Sequence, residues 1–342
     1  MKVINLRTKT GRCRIELGVP AMAIGEALRG RRAVAVTDSR VRELHGDRLP
    51  RLESIDIAAS ESEKTLESVT GIYDRFLESR VDRATVIVAI GGGVTLDITG
   101  FAASTFLRGL PMVYVPTTLL AQADAAVGGK NGVNHRGYKN MAGVFAQPER
   151  VICDHSLLAT LDAGDRRNGL VEIIKHAVIG DEALFGFLED HASEMMDLDA
   201  AFTRRAVFAS LSVKTAIVYR DEREGGLRRK LNLGHTIGHA LEKVYHIPHG
   251  DAVGIGLGFA ARLSNRLGRL SNAGSRRILD LLDRLEPPAA PSGQREALKE
   301  AIGKDKKRED SKIHFVLPEA IGRCVIEEIP VRQIEEAIDD LC

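Results

Sequence analysis

Tryptophan is missing from this chain, and aromatic residues together make up only 4% of it. Platforms that stack nucleic-acid bases need aromatic rings in number, so binding of that kind is disfavoured. Net charge is missing too. The 48 Lys and Arg face 47 Asp and Glu, which removes any global electrostatic case for nucleic acid or an anionic membrane as partner. Cysteine is sparse: Cys13, Cys153, Cys324 and Cys342 are scattered with no CxxC spacing. That fits a reducing cytoplasm and argues against a cysteine-built zinc site. No run reaches the roughly 18 apolar residues of a membrane span, and residues 1–18 hold no apolar core of signal-peptide length. A cytoplasmic location is therefore expected. Repeats and low-complexity segments are also absent.

What is present is ordinary globular material: 342 residues, 44% hydrophobic and 28% charged, enough for two domains or one large one. The first half alternates strand and helix signals. Segments 3–6 and 13–17 read as short strands, forming a hairpin around Thr10 and Gly11. Segments 33–37, 55–58, 84–90 and 112–115 read as further strands, and 64–79 and 95–107 as helices. Such alternation predicts a parallel, Rossmann-like sheet in an α/β domain, here 1–160. Beyond residue 155 helical periodicity dominates, at 169–179, 182–191, 200–219, 235–244, 252–267 and 275–285. A short strand at 313–317 and a closing helix at 331–340 follow. The expected plan is a mainly α-helical second domain, 161–342, with the active site in the cleft between the two.

Four stretches carry residues suited to chemistry. Gly91, Gly92 and Gly93 follow a strand and open a helix, so backbone N–H groups there are free to meet a phosphate or pyrophosphate. The turn is not GxGxxG, and a tight strand-to-helix connection is the plain alternative. Asp97, one turn on, suits a hydroxyl or the helix dipole. Segment 128–135 is a second glycine-rich turn carrying Lys130, and Lys139-Asn140 reads as another polar loop; an anionic ligand and a solvated loop both fit. Glu172 and Lys175 share one face of the apolar helix GLVEIIKHAVI. A surface salt bridge is one reading. Little of that helix is left for solvent, however, and a buried carboxylate needs a partner such as a metal. Finally, His235 and His239 lie four apart on a predicted helix, with Gly234 and Gly238 allowing close approach and His249 following in a His-Gly-Asp loop. Spacing alone allows either a metal chelated by both histidines or two histidines that cap and pack.

In order and spacing, 91–97, 116–120 with 124–130, 139–140, 169–175, 231–239, 249–251 and 305–307 ahead of 315–318 resemble the 3-dehydroquinate synthase family. The resemblance runs from about residue 30 to 325. It implies an enzyme using NAD and a divalent metal, Zn2+ or Co2+, as cofactors. Its substrate would be 3-deoxy-D-arabino-heptulosonate 7-phosphate and its products 3-dehydroquinate and phosphate. The implied path is transient oxidation, phosphate elimination, re-reduction, ring opening and an intramolecular aldol. By position, Glu172, His235 and His249 would hold the metal. Asp38, Glu61, Lys64, Gly92, Gly93, Val94, Asp97, Thr117, Thr118, Lys130, Lys139, Leu158, Thr160 and Leu161 would hold NAD. Asp97, Arg108, Lys130, Lys139, Asn140, Lys175, Lys214, Arg228, Asn232, His239 and Lys306 or Lys307 would meet the substrate. A homodimer is the family's usual state. Other sugar-phosphate cyclases, of the valiolone or inosose type, and NAD- and metal-dependent polyol dehydrogenases are the alternative readings.

Four departures from the family pattern stand out. Asn131 replaces the usual Thr after the lysine, Asp251 replaces Glu in the His-Gly-Glu element, and no tyrosine precedes Lys64. The residues ahead of Gln147-Pro148 are Phe145-Ala146, where a second aromatic is usual.

Overall fold

The computed structural model describes residues 1–288, 293–303 and 312–341. It divides into two compact units, 1–165 with 200–223, and 166–199 with 224–342.

The first unit is built on a seven-stranded sheet. Its strands are β1 Lys2–Arg7, β2 Arg12–Leu17, β3 Ala33–Asp38, β4 Glu53–Ile57, β5 Val86–Gly91, β6 Met112–Pro116 and, after two strands outside this sheet, Arg150–Cys153. The strands outside it are β7 Lys130–His135 and β8 Tyr138–Phe145, a separate two-stranded sheet, so Arg150–Cys153 is β9. The order is β1-β2-β9-β6-β5-β3-β4. Only the edge hairpin β1–β2 is antiparallel; the remaining pairs are parallel. β5 and β6 are buried at every position, as expected of strands covered on both faces. One face packs on Ala21, Ile24, Ala27, Leu28 and Leu49. The chain turns outward from β3 to β4 and resumes at β5 on the other side of β3, so strand order reverses there. In open α/β sheets, ligands bind beyond the carboxyl ends of strands at such a reversal. Those ends are Asp38 and Gly91.

Helix Gly93–Thr105 lies between this sheet and the β7–β8 hairpin. Contact is so close that a Cβ on Gly100 would sit 2.1 Å from the Tyr114 hydroxyl and 2.2 Å from Asn131 Oδ1. Tyr114 donates to that Asn131 oxygen at 2.7 Å, and Asn131 Nδ2 donates to the carbonyls of Gly129 and Ala146. The hairpin corrects a reading from sequence: 130–135 and 139–140 lie in strands rather than in two polar loops, and Lys130 opens β7. Glycines and polar residues conceal the alternation. Arg136 and Gly137 make the two-residue turn with positive φ of 49° and 79°, a signal weaker in sequence than Asn-Gly.

Helix Ala200–Arg220 packs on β1, on residues 155–160 and on the short π-helix Ala121–Ala125, all in the first unit. The continuous boundary expected at 160/161 therefore gives way to a discontinuous unit. Just beyond this helix, Glu222 accepts from the amides of Lys9 and Thr10 at 2.9 and 3.2 Å and from Gln147 Nε2 at 3.1 Å.

The second unit is mainly helical. Helices Ala163–Gly180, Glu182–Asp190, His235–Tyr245, His249–Arg266, Asn272–Asp283, Arg295–Gly303 and Val331–Leu341 accompany the antiparallel pair β10 Lys312–Ala320 and β11 Arg323–Pro330. Helices His235–Tyr245 and His249–Arg266 cross at their glycines: a Cβ on Gly256 would lie 2.0 Å from the Gly234 carbonyl oxygen. Close approach at Gly234 and Gly238 is thus made by chain rather than ligand. His249 is the first residue of a helix and not part of a loop, a second correction. Pro248 and Gly250 look like loop residues in sequence. Gly250 is instead needed because a Cβ there would meet Asn168 Cα at 2.3 Å. Among the described residues no helix is long and apolar enough to cross a membrane.

Candidate active site

Each unit gathers its own set of the residues singled out from sequence. In the second unit, Glu172 is fully buried on helix Ala163–Gly180. Its Oε1 lies 3.8 Å from His235 Nε2 and 3.7 Å from His249 Nε2, and the three donor atoms lie within 4.8 Å of one another. The opposite nitrogen of each ring is already engaged. His235 Nδ1 faces the Leu233 carbonyl at 3.2 Å, and His249 Nδ1 meets Glu242 Oε1 at 2.7 Å. Each ring therefore turns its Nε2 toward the shared point, where a cation can take the place of a proton. One carboxylate and two imidazoles suit a divalent cation and leave a coordination position open. Two links brace the framework: Arg167 Nε meets Asp251 Oδ1 at 2.7 Å, and Gly250 seats against Asn168. Asp251 thus joins the helix that carries His249 to the helix that carries Glu172.

Burial, then the charge of Lys175, hold His235 down at about 3, so it stands neutral and ready to ligate. Burial also opposes charging His249, but the carboxylates of Glu172 and Glu242 outweigh it and raise this ring to about 9. Lys175 is ion-paired with Glu172, and both side chains are 1% exposed, so of the two readings of this pair the surface one falls and the interior one holds. The rings of His239 and His235 meet edge to face at 5.2 Å. His239 and Asn232 line one cavity with Arg229, Thr236 and Lys243. Asn232 Nδ2 donates to Glu224, and Arg228 is buried.

In the first unit, Lys64 Nζ reaches Asp97 Oδ2 at 2.5 Å and Asn140 Oδ1 at 2.7 Å, while Asn134 Nδ2 donates to Glu61 at 2.8 Å. Lys139 Nζ lies 3.9 Å from Glu61. Loss of water raises Asp97 above the usual carboxylate range, and Lys64 works against that shift. Gly92 caps helix Gly93–Thr105, leaving Gly93 and Val94 in its first turn. A Cβ on Gly92 would meet Thr118 at 3.1 Å. The Thr117 hydroxyl is buried with no hydrogen-bond partner among the described residues, and its amide bonds the Gly91 carbonyl at 3.0 Å. An orphaned hydroxyl beside a glycine turn at a sheet reversal fits a dinucleotide. Lys214 is held by the Asp124 carbonyl at 2.7 Å and its carboxylate at 2.6 Å.

Asp38 caps helix Ser39–His45 by accepting from the Arg40 amide at 2.9 Å. Leu158 is buried, the Thr160 hydroxyl meets His45 Nε2 at 2.8 Å, and Leu161 ends that turn. Arg108 is exposed in a left-handed turn with φ of 68°. Lys130 is exposed at the start of β7. Lys306 and Lys307 lie outside the described residues. Sequence reading missed Asp124, which precedes Lys130 by six positions, and Glu242, which lies one turn beyond His239.

Known proteins point the same way. Residues 54–168 match the family model for 3-dehydroquinate synthase N-terminal, and 169–308 that for 3-dehydroquinate synthase C-terminal. The chain is 40% identical over 311 residues to 3-dehydroquinate synthase of Halorhodospira halophila, covering 89% of this chain and 88% of that protein. It is 41% identical over 308 residues to the Nitrosomonas europaea enzyme, covering 86% and 84%. A solved structure of 2-epi-5-epi-valiolone synthase from Streptomyces hygroscopicus, with NAD+ and Zn2+ bound, superposes with a TM-score of 0.88 at 30% identity, covering 100% of this chain and 99% of that one.

Proposed function

This chain belongs to the 3-dehydroquinate synthase family, and from that membership we propose that it converts 3-deoxy-D-arabino-heptulosonate 7-phosphate to 3-dehydroquinate and phosphate. The reaction is a phosphate-eliminating carbon–oxygen lyase step of the shikimate pathway to aromatic amino acids. The observation that carries the assignment to particular residues is the convergence of Glu172, His235 and His249, with the far nitrogen of each ring already held. Those three residues would hold Zn2+ or Co2+. The turn at Gly92 to Asp97, Thr117 and Asp38 would hold NAD. When bound, the cation supplies Lewis acidity to a substrate hydroxyl, and NAD supplies reversible hydride acceptance.

The remaining work falls to charge and position. Lys175, interior and beside Glu172, presents a cation to substrate oxygens near the metal ligands. Lys214, steadied by Asp124, and the buried Arg228 offer fixed positive charge for phosphate or carboxylate. Asp97, held by Lys64, orients a hydroxyl, and Asn232 and His239 meet the substrate from one cavity wall. His239 is the group suited to moving a proton. Lys130, Lys139, Asn140, Arg108 and Lys306 complete the proposed substrate contacts. The first unit is read as the NAD-binding domain and the second as the metal-binding one. The protein is read as cytoplasmic and homodimeric; the exposed Tyr138 and Met141 on the outer strand of the β7–β8 hairpin support the dimer.

Incubation with NAD, zinc and the heptulosonate phosphate should release phosphate and form a compound that 3-dehydroquinate dehydratase turns into an absorbing enone acid. NAD should show no net reduction. Phosphate release without that product would favour a valiolone-type cyclase, the reading suggested by the Streptomyces likeness. Accumulating NADH would favour a polyol dehydrogenase.

A further inference from the structure

Helix His235–Tyr245 carries a third polar group on the face that bears His235 and His239. Glu242 falls at i+7 from the first and i+3 from the second, which puts all three within an arc of about 60°. Its side chain is 4% exposed, and Oε1 lies 2.7 Å from His249 Nδ1. A carboxylate only accepts, so Nδ1 carries a hydrogen and Nε2 across the ring is left as the atom that a cation can claim, 3.7 Å from Glu172 Oε1. Only residues 246–248 separate the two helices, with His246 in the left-handed conformation at φ 55°, so the reversal sets His249 down beside Glu242.

We propose that Glu242 is a positioning residue of the metal centre: it fixes the tautomer and the ring plane of His249 and thereby sets the affinity of the Glu172, His235 and His249 site for a divalent cation. This inference rests on those three residues being the ligands. The two imidazoles are held unequally. His235 leans on a neutral backbone carbonyl at 3.2 Å, whereas His249 has a short, charge-assisted partner. An imidazole held by a carboxylate is the stronger ligand base, and such outer partners are worth about 10- to 100-fold in metal affinity. The exposure of the rings supports this division, since the His249 side chain is 36% exposed and that of His235 14%. The more open ring is the one that needs a specific anchor.

The test is titration of metal-free protein with Zn2+ against a chromophoric chelator, for wild type, E242A, E242Q, E242D and H235A, alongside thermal midpoints of the metal-free forms. E242A should bind Zn2+ about 10- to 100-fold more weakly. E242D should match it, because a side chain one methylene shorter no longer spans the gap. E242Q, which keeps shape and an accepting oxygen, should lose less, and its Co2+-loaded form should show shifted visible bands. Metal-free midpoints should fall in E242A, which breaks a buried pair, and least in E242Q, but by less than the loss of zinc affinity. Wild-type affinity in both E242A and E242Q overturns the proposal, as does a loss matched by equal destabilisation of the metal-free protein. H235A separates the two levels: if it keeps wild-type affinity, the ligand assignment itself falls, and this inference with it.

Discussion

Lys64, Asp97 and Asn140 in the first unit and Glu172, Lys175, His235 and His249 in the second both withdraw charge from water, but they balance it differently. In the first set the lysine is enclosed by a carboxylate and an amide oxygen, so the cluster closes on itself. What it leaves open is a run of backbone donors at the Gly92 turn and the Thr117 hydroxyl, a surface for phosphates and riboses. In the second set two imidazole nitrogens and a carboxylate converge on one point, a donor set that invites a cation. Burial alone does not tell such sites apart; the sign of what remains unsatisfied does.

The sharpest way to break this contrast is to remove one member from each side. His235→Ala should abolish zinc retention and lower turnover by ~10³-fold or more, while leaving NAD binding intact; metal analysis and NAD fluorescence titration check both halves. Lys64→Met should do the reverse. It leaves Asp97 without its counter-charge, costs about 3 kcal/mol of stability, weakens NAD binding and leaves zinc affinity unchanged. Parallel losses of zinc and NAD in either variant would show that the two clusters are not independent.

A smaller effect follows from Gly100→Ala. The added methyl must displace the Tyr114–Asn131 pair, at a cost of about 2 kcal/mol in urea denaturation. The shift carries into the hairpin bearing Lys130, so KM for the sugar phosphate should rise several-fold with no change in zinc affinity. The smallest effect concerns pH. His155, whose Nδ1 donates to Gln122 Oε1 at 2.8 Å, is held down at about 4 by burial and then by Arg204. The folded form therefore stays neutral while the unfolded chain takes up a proton below about 6.5. Stability should be lost as pH falls from 6.5 to 4, by roughly 1–2 kcal/mol for a ring partly open to solvent. Denaturation of wild type and His155→Asn at pH 7 and pH 5 measures it: the gap between them should narrow at the lower pH.

Legibility in the sequence followed the same physical divide. β3, β5 and β6 were readable because continuous apolar runs of strand length announce burial on both faces. The histidine helix was readable from its periodicity. β7 and β8 were not, since Gly132 and Gly143 face each other where side chains would clash with backbone, and no alternation survives. β9 is four residues long, and Glu327 and Glu328 interrupt β11. The candidate ligands Glu172, His235 and His249 were named from the family resemblance rather than from spacing, which pointed to His235 and His239. Glu242 escaped because a glutamate in an amphipathic helix looks like surface. Only the reversal at 246–248 shows that it turns inward to His249.

Glu222 has a consequence for how the chain is made. Its carboxylate secures the amide of Lys9 across 213 positions, and the helix ahead of it packs on β1. During synthesis the edge of the sheet must therefore wait, its last hydrogen bonds unmade, until residue 222 has left the ribosome. By then residues 166–199 of the other unit have already emerged. A fragment stopped at residue 165 would hold every strand of the sheet and still lack the piece that fastens its edge. Truncation at the apparent domain boundary should therefore give an aggregation-prone product in place of a free-standing nucleotide-binding module.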